Sequence, residues 1–170
     1  MDMIPFIFAA SMLVNSAPIE QKPETYCDFW VGSWTMTGQS RTAPGKDEFT
    51  KRDCENTITK TQGGQVVHEN FKMPGFTGES WSVYDARKKK WFQTWVDAGG
   101  SYLTFVGEKT PDGFMFVQNN IPKEIVEKGL AMRMVFSDIK KDSFLWRWQR
   151  SDNSGKTWED QWTLNYKRKK

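Results

Sequence analysis

Lys90-Trp91-Phe92-Gln93-Thr94-Trp95-Val96-Asp97 decides the fold class. With a period of two it places Trp91, Gln93, Trp95 and Asp97 on one face, and Phe92, Thr94 and Val96 on the other. Aromatic and β-branched residues in alternation over a run this short point to a strand. Ser143–Arg150 repeats the pattern, with Trp146, Trp148 and Arg150 on one face and Leu145, Arg147 and Gln149 on the other. In both runs the face that carries Trp also carries polar side chains. A solid sandwich core expels Gln, Asp and Arg, because burying a polar group without a partner costs roughly 2–7 kcal/mol. A barrel lumen can keep them, bound to water or to a ligand. The competing arrangement is a solid Trp core whose polar neighbours snorkel to its edge.

The same texture extends outward in both directions. About ten strand-like runs are separated by turn chemistry: Gly32–Gln39, Thr50–Lys60, Gln65–Lys72, Phe76–Tyr84, Lys90–Asp97, Tyr102–Glu108, Phe114–Asn119, Ala131–Ile139, Ser143–Arg150 and Thr157–Lys167. Pro44-Gly45, Gly63-Gly64, Met73-Pro74-Gly75, Gly99-Gly100 and Pro111-Asp112-Gly113 mark the breaks. Only Pro122–Lys128 reads as helix, with Tyr26–Trp30 as a second short helical turn. The expected fold is an all-β, antiparallel up-and-down barrel of about ten strands with one or two helical turns.

Composition narrows the function classes. At 170 residues the chain suits one domain. It has 24 Lys+Arg against 21 Asp+Glu, too even a balance to argue for a nucleic-acid partner. The basic runs Arg87–Lys90 and Lys167–Lys170 read as a solvated hairpin turn and a solvated tail. One His and two Cys exclude zinc sites that need four such ligands. Aromatic residues make up 15%, with nine Trp, so the domain must pack or present them heavily.

Ile4–Val14 is an uncharged, mostly apolar run, shorter than the about 20 residues a bilayer span needs. Small residues and then a polar stretch follow it, so residues 1–17 read as a signal peptide, cleaved after Ser16 or Ala17. The mature domain is then 18–170, periplasmic or secreted, with no integral membrane segment. The alternative is an N-terminal strand or helix of the domain, since Met1-Asp2-Met3 lacks a basic residue. Export makes Cys27 and Cys54 candidates for a disulfide; otherwise they are two buried thiols.

Gly32-Ser33-Trp34, just after a short helical turn, resembles the G-x-W signature of the lipocalin and calycin superfamily. The resemblance implies that Trp34 closes one barrel end and that a base near the end of the last strand, Lys167 or Arg168, packs on it. More closely, Asp28-Phe29-Trp30-Val31-Gly32-Ser33-Trp34, Tyr84-Asp85, the Lys90–Asp97 run and Gly155-Lys156-Thr157-Trp158 resemble, in that order, a family of uncharacterised exported bacterial lipocalin-like domains. Ten strands are more similar to fatty-acid-binding-protein and nitrobindin barrels than to eight-stranded lipocalins. Ser151–Trp158 resembles an Asp-box with Asn153 in the acidic position, a folding device in which Asn153 bonds the turn backbone and Trp158 packs beneath.

The expected function is binding of a small apolar or aromatic ligand in a Trp-lined, semi-polar cavity. The expected wall is Gln93, Trp95 and Asp97, with Ser80 and Tyr84 from the preceding strand and Trp148 from a later one. Arg133 is expected to pair with Asp97 across the lumen and fix the ligand's polar end. No resident cofactor is expected. Two alternatives come from other classes. Glu69 and Asp97, with Glu108 as a further carboxylate, could serve as acid and base, although Ser80 lacks a G-x-S-x-G elbow. His68 could ligate haem, as in nitrobindin-like barrels; it lies on the opposite strand face from Glu69.

Overall fold

A computed structural model describes residues 21–170. The expected signal peptide lies outside the described residues. The strands are β1 (Gly32–Arg41), β2 (Phe49–Thr61), β3 (Val66–Met73), β4 (Phe76–Asp85), β5 (Lys90–Asp97), β6 (Tyr102–Thr110), β7 (Gly113–Gln118), β8 (Ala131–Lys140), β9 (Ser143–Ser151) and β10 (Glu159–Arg168). Each pairs antiparallel with its neighbours in sequence, and β1 pairs with β10, so the sheet closes on itself with no free edge. The expected barrel and strand count hold, and the expected strand limits agree within two residues. Among the described residues the only α-helix, α1 (Lys123–Val126), lies in the β7–β8 connection; 3₁₀ turns cover Pro23–Thr25 and Asp28–Trp30.

Closure forces alternate residues of every strand toward one axis. The inward set includes Trp34 and Met36, Cys54 and Asn56, Glu69 and Phe71, Ser80 and Ser82, Phe105, Phe114 and Phe116, Phe136, Phe144, Leu164 and Tyr166, all buried. This volume of aromatic side chain packs largely edge to face, as its ring quadrupoles favour. Trp34 meets Phe144 and Tyr166 at 5.0 and 5.9 Å between centroids, and Phe114 meets Phe116 at 5.1 Å.

One barrel end is sealed by the segment that precedes β1. Trp30 and Phe29 lie edge-on to Phe136 at 5.2 and 5.6 Å. The Trp34 indole Nε1 donates to the Trp30 carbonyl at 2.8 Å. The Arg168 guanidinium stacks over Trp34 at 4.1 Å and donates to the Val31 carbonyl at 2.9 Å. Of the two bases expected at this position, Arg168 therefore fills it; Lys167 pairs outward beside Thr35. Gly32 is obligatory here: its φ is +139°, and a Cβ would lie 2.1 Å from the Arg168 guanidinium. Trp91 Nε1 adds a bond to the Pro23 carbonyl at 2.9 Å, holding the first 3₁₀ turn across the same end.

The Asn153 turn is built as a folding device. Asn153 Oδ1 accepts from the Thr157 amide at 2.9 Å, Ser151 Oγ accepts from the Gly155 amide at 2.8 Å, and the Trp158 ring packs beneath Gly155. Cys27 and Cys54 are both buried free thiols, so the disulfide left open by the sequence is not formed. One sits in the sealing segment, and the other faces Met36 within the barrel wall. Burial pushes both thiols up, Cys54 to about 11.

Truncating the sealing indole should cost far more than truncating its exposed neighbour. In urea denaturation, Trp34→Ala is expected to lose about 3–5 kcal/mol, whereas Lys167→Ala should stay within about 0.5 kcal/mol of the parent.

Candidate functional site

The inward residues fill the lumen unevenly. Toward the sealed end the rings meet. Toward the other end a cavity of about 210 Å³ remains. Trp95, Trp146, Trp148, Trp162, Phe71 and Phe105 supply most of its wall, and Trp30 floors it from the sealing segment. Glu69 and Tyr166 bring polar groups into it, and Asp97 stands with Phe76 and Leu103 nearer the open end. An apolar cavity of about 150 Å³ already accommodates benzene, so this one has room for a single ring with a short side chain. It is smaller than the roughly 300–1,000 Å³ typical of drug-sized sites.

Strand register explains how these residues converge. Ser80 pairs with Glu69 on one side and Trp95 on the other, and Trp95 in turn with Leu103, which forms one row across β3, β4, β5 and β6. Trp148 lies between Met134 and Trp162. A β-bulge at Gln161 makes the last placement work: the register slips between Asp160 and Trp162, so Trp162 turns inward beside Trp148 while Asp160 stays outside beside Gln149. Gly78, directly opposite Asp97, leaves the space that the Trp95 indole occupies; a Cβ there would meet the ring at 2.1 Å.

Glu69 is the electrostatic centre of this region. Its carboxyl is buried and accepts two short hydrogen bonds, from Asn56 Nδ2 to Oε1 and from Ser80 Oγ to Oε2, each 2.6 Å. Asn56 Nδ2 also reaches the Tyr166 hydroxyl at 3.1 Å. Gln93 extends the network, donating from Nε2 to Ser82 Oγ at 3.0 Å and Ser80 Oγ at 3.3 Å. Desolvation outweighs the hydrogen bonds from Ser80 and Asn56 and raises the Glu69 pKa to about 7. Burial and the neighbouring Glu69 carboxylate likewise hold the Tyr166 phenol well above its usual range. The Asn56 and Gln93 carbonyl oxygens are buried without a donor among the described residues, and Trp162 Nε1 without an acceptor.

Asp97 behaves oppositely. Partial burial pulls its carboxyl up, but the bonds it accepts from Trp95 Nε1, Ser101 and Gly99 together hold it below the usual carboxylate range. Trp95 Nε1 donates to Oδ2 at 2.9 Å, and the Gly99 amide to Oδ1 at 2.8 Å. Asp97 thus orients the Trp95 ring and ties the β5–β6 turn, and it remains ionised.

Of the wall expected from sequence, Trp95, Asp97 and Trp148 line the cavity. Ser80 and Gln93 face inward as expected, but they sit behind the surface, in the network that holds Glu69. Tyr84 also faces inward, yet at the sealed end, 6.1 Å from Trp91, where it touches no part of the cavity. Arg133 does not face the lumen. It lies on the outer wall, where its guanidinium covers Trp158 at 4.0 Å and its Nε donates to Gln149 Oε1 at 2.7 Å. Gln149 donates onward to Asp160 at 2.7 Å. The expected Arg133–Asp97 pair is therefore replaced by an outer-wall cluster of Arg133, Gln149, Asp160 and Trp158. Glu108 is exposed on the outer face opposite Met115. His68 is outside too, stacked on Trp81 at 5.0 Å with Nε2 2.9 Å from Glu79 Oε2, so it presents no imidazole to the lumen. Phe71, Trp146, Trp162 and Tyr166 were missing from the expected wall. Parity could have supplied all four, from alternation with Glu69, with Trp148 and along β10.

No protein-family model matches this chain, and no curated protein matches it. Among solved structures, Rv2717c from M. tuberculosis is similar over 89% of this chain and 100% of its own, with a TM-score of 0.57 and 13% sequence identity. At that identity the likeness extends to the barrel fold alone.

Because the folded state holds a proton on Glu69 that the unfolded chain releases near 4.5, this site favours folding most below that pH. The contribution fades as pH rises through about 7. Relative to the parent, Glu69→Gln should therefore gain on the order of 1–3 kcal/mol between pH 5 and pH 8 in paired urea titrations; a constant difference would mean that Glu69 titrates normally.

Proposed function

We propose that this chain is an exported, lipocalin-like barrel that binds a small apolar or aromatic molecule in its Trp-lined cavity. The observation that carries the reading is the cavity itself: about 210 Å³ toward the end of the lumen away from the seal, lined by five indoles and backed by one buried carboxyl network. A barrel built only for stability gains by filling such a space, because voids forfeit packing energy. It gains nothing from a desolvated carboxylate in the wall. Sites for small molecules combine these features, mostly apolar walls with a few placed polar groups. Export is supported by the apolar run and small residues within 1–17, and calycin kinship by Gly32, Trp34 and the Arg168 stack.

A second reading has one specific observation in its favour. Glu69 and Asp97 border the same cavity with pKa values displaced in opposite directions, as an acid and a base require. They stand two strands apart, about 10 Å by strand spacing, so a substrate would have to lie between them. All of Asp97's bonds hold Trp95 and the turn, which favours binding over catalysis.

Indole, a ring that fits the cavity, tests the binding reading by calorimetry. Saturable binding to the parent is expected. Trp95→Ala and Trp148→Ala should each weaken it about tenfold or more, as the loss of about 1–2 kcal/mol of ring contact implies. Arg133→Ala and Trp81→Ala, on the outer wall, should leave it unchanged. Equal loss in all four variants would place the binding elsewhere.

A further inference from the structure

The cavity wall has a one-sided charge. Among the described residues it includes two carboxylates, Glu69 and Asp97, and no Lys, Arg or His. Bases of inward parity do exist, but they are engaged away from it. Arg52 donates to Ser40 Oγ at 2.8 Å, Arg150 pairs with Asp152 at 2.6 Å, and Lys60 pairs with Asp28 at 2.6 Å at the sealed end. The rest of the wall is aromatic, with Trp95, Trp146, Trp148 and Trp162 presenting electron-rich ring surfaces. Glu69 also has spare acceptor capacity. Its oxygens use one bond each of their roughly four lone-pair positions, and behind it the Asn56 and Gln93 carbonyl oxygens have no donor among the described residues, while the Trp30 and Trp162 indole N–H groups have no acceptor there.

These three properties select one ligand chemistry. A carboxylate ligand would enter a low-dielectric space facing two like charges with no guanidinium to receive it. A neutral hydrocarbon would satisfy the rings and leave the polar end unanswered. An ammonium brings up to three donors and a positive charge to a desolvated carboxylate, while its approach is favoured by indole faces. Resting on the binding reading above, we propose that the cavity takes a small organic cation, a protonated primary amine on a single aromatic ring, with the ammonium at Glu69 and the ring among Trp95, Trp148 and Trp162. Asp97 sets the Trp95 ring and contributes negative potential near the mouth.

The pH dependence follows from the groups around Glu69. Asn56 from β2 and Ser80 from β4 are not titratable. Tyr166 from β10 and Cys54 from β2 are both pushed up by burial and stay neutral from pH 5 to pH 8. His68, next in the chain, faces outward onto Glu79, and Asp97 is ionised throughout. An alkylamine, like lysine, keeps its proton below about pH 10. Ammonium affinity should therefore rise between pH 5 and pH 8 as Glu69 ionises.

Three probes that share a phenylethyl group separate the outcomes: 2-phenylethylamine, its isostere n-propylbenzene, and 3-phenylpropionate, each titrated into the full chain by calorimetry at pH 8. The amine is expected to bind at least tenfold tighter than propylbenzene, with no saturable binding of the carboxylate. Glu69→Gln should weaken the amine tenfold or more and leave propylbenzene unchanged. Should that variant not fold, the parent alone suffices: amine affinity must rise at least fivefold from pH 5 to pH 8 while propylbenzene affinity does not. If propylbenzene or the carboxylate binds as tightly as the amine, or if amine affinity is flat with pH, the cation assignment is overturned and the apolar-ligand reading stands. If none of the three binds at millimolar concentration, both readings fall.

Discussion

Closing ten antiparallel strands into a ring sends every second side chain toward a single axis, and the molecule is organised around what can be placed there. The interior must be filled to near-crystalline density or opened for a purpose. Large rings do the filling: Phe114, Phe116, Phe136 and Phe144 with Trp34 and Tyr166 occupy the part of the lumen beneath the sealing segment. The high aromatic content follows from this geometry. Only near the opposite end do the indoles stop short of one another, and the free volume that remains is bordered by a carboxylate.

That carboxylate is costly to keep. A buried charge destabilises a domain unless it is paired and hydrogen-bonded, and among the described residues Glu69 has neutral donors but no cation partner. Its environment is therefore balanced between protonation and ionisation near neutral pH. The sealed end shows the opposite economy, where the Trp34 indole and the Arg168 guanidinium stack on each other and each donate to a main-chain carbonyl. One end of the barrel is arranged for stability. The other tolerates a polar network that packing alone would replace with a leucine.

Much of this was legible in the sequence, for identifiable reasons. Strand limits followed from turn residues such as Gly63-Gly64 and Pro111-Asp112-Gly113, because those positions need conformations that strands do not supply. The inward faces of β5 and β9 followed from period two, which placed Trp95, Asp97 and Trp148 correctly. Arg133 was expected in the lumen as the partner of Asp97, although it stands opposite in parity to the neighbouring Met134 and Phe136. Its own parity put it outside, where Trp158 offers a second aromatic surface that sequence cannot distinguish from the lumen. On β10 the Gln161 bulge limits parity: Asp160 has the same spacing as Trp162, Leu164 and Tyr166 yet stays outside, because one extra residue shifts the register before them. Tyr84 shows a third limit: parity fixes the face of a strand but not the height along the barrel axis, and height separates the packed end from the cavity.

Everything distinctive about the cavity comes from a carboxylate, Glu69, buried beside an open, aromatic space with neutral donors alone around it among the described residues. A carbon-13 NMR titration of the Glu69 side-chain carboxyl, assigned by comparison with Glu69→Gln, measures it most directly. The structure predicts a midpoint of about 7 for the ligand-free protein, moving downward when 2-phenylethylamine is added. A midpoint near 4.5, unmoved by the amine, would show a hydrated carboxyl and rule out a desolvated one beside the cavity.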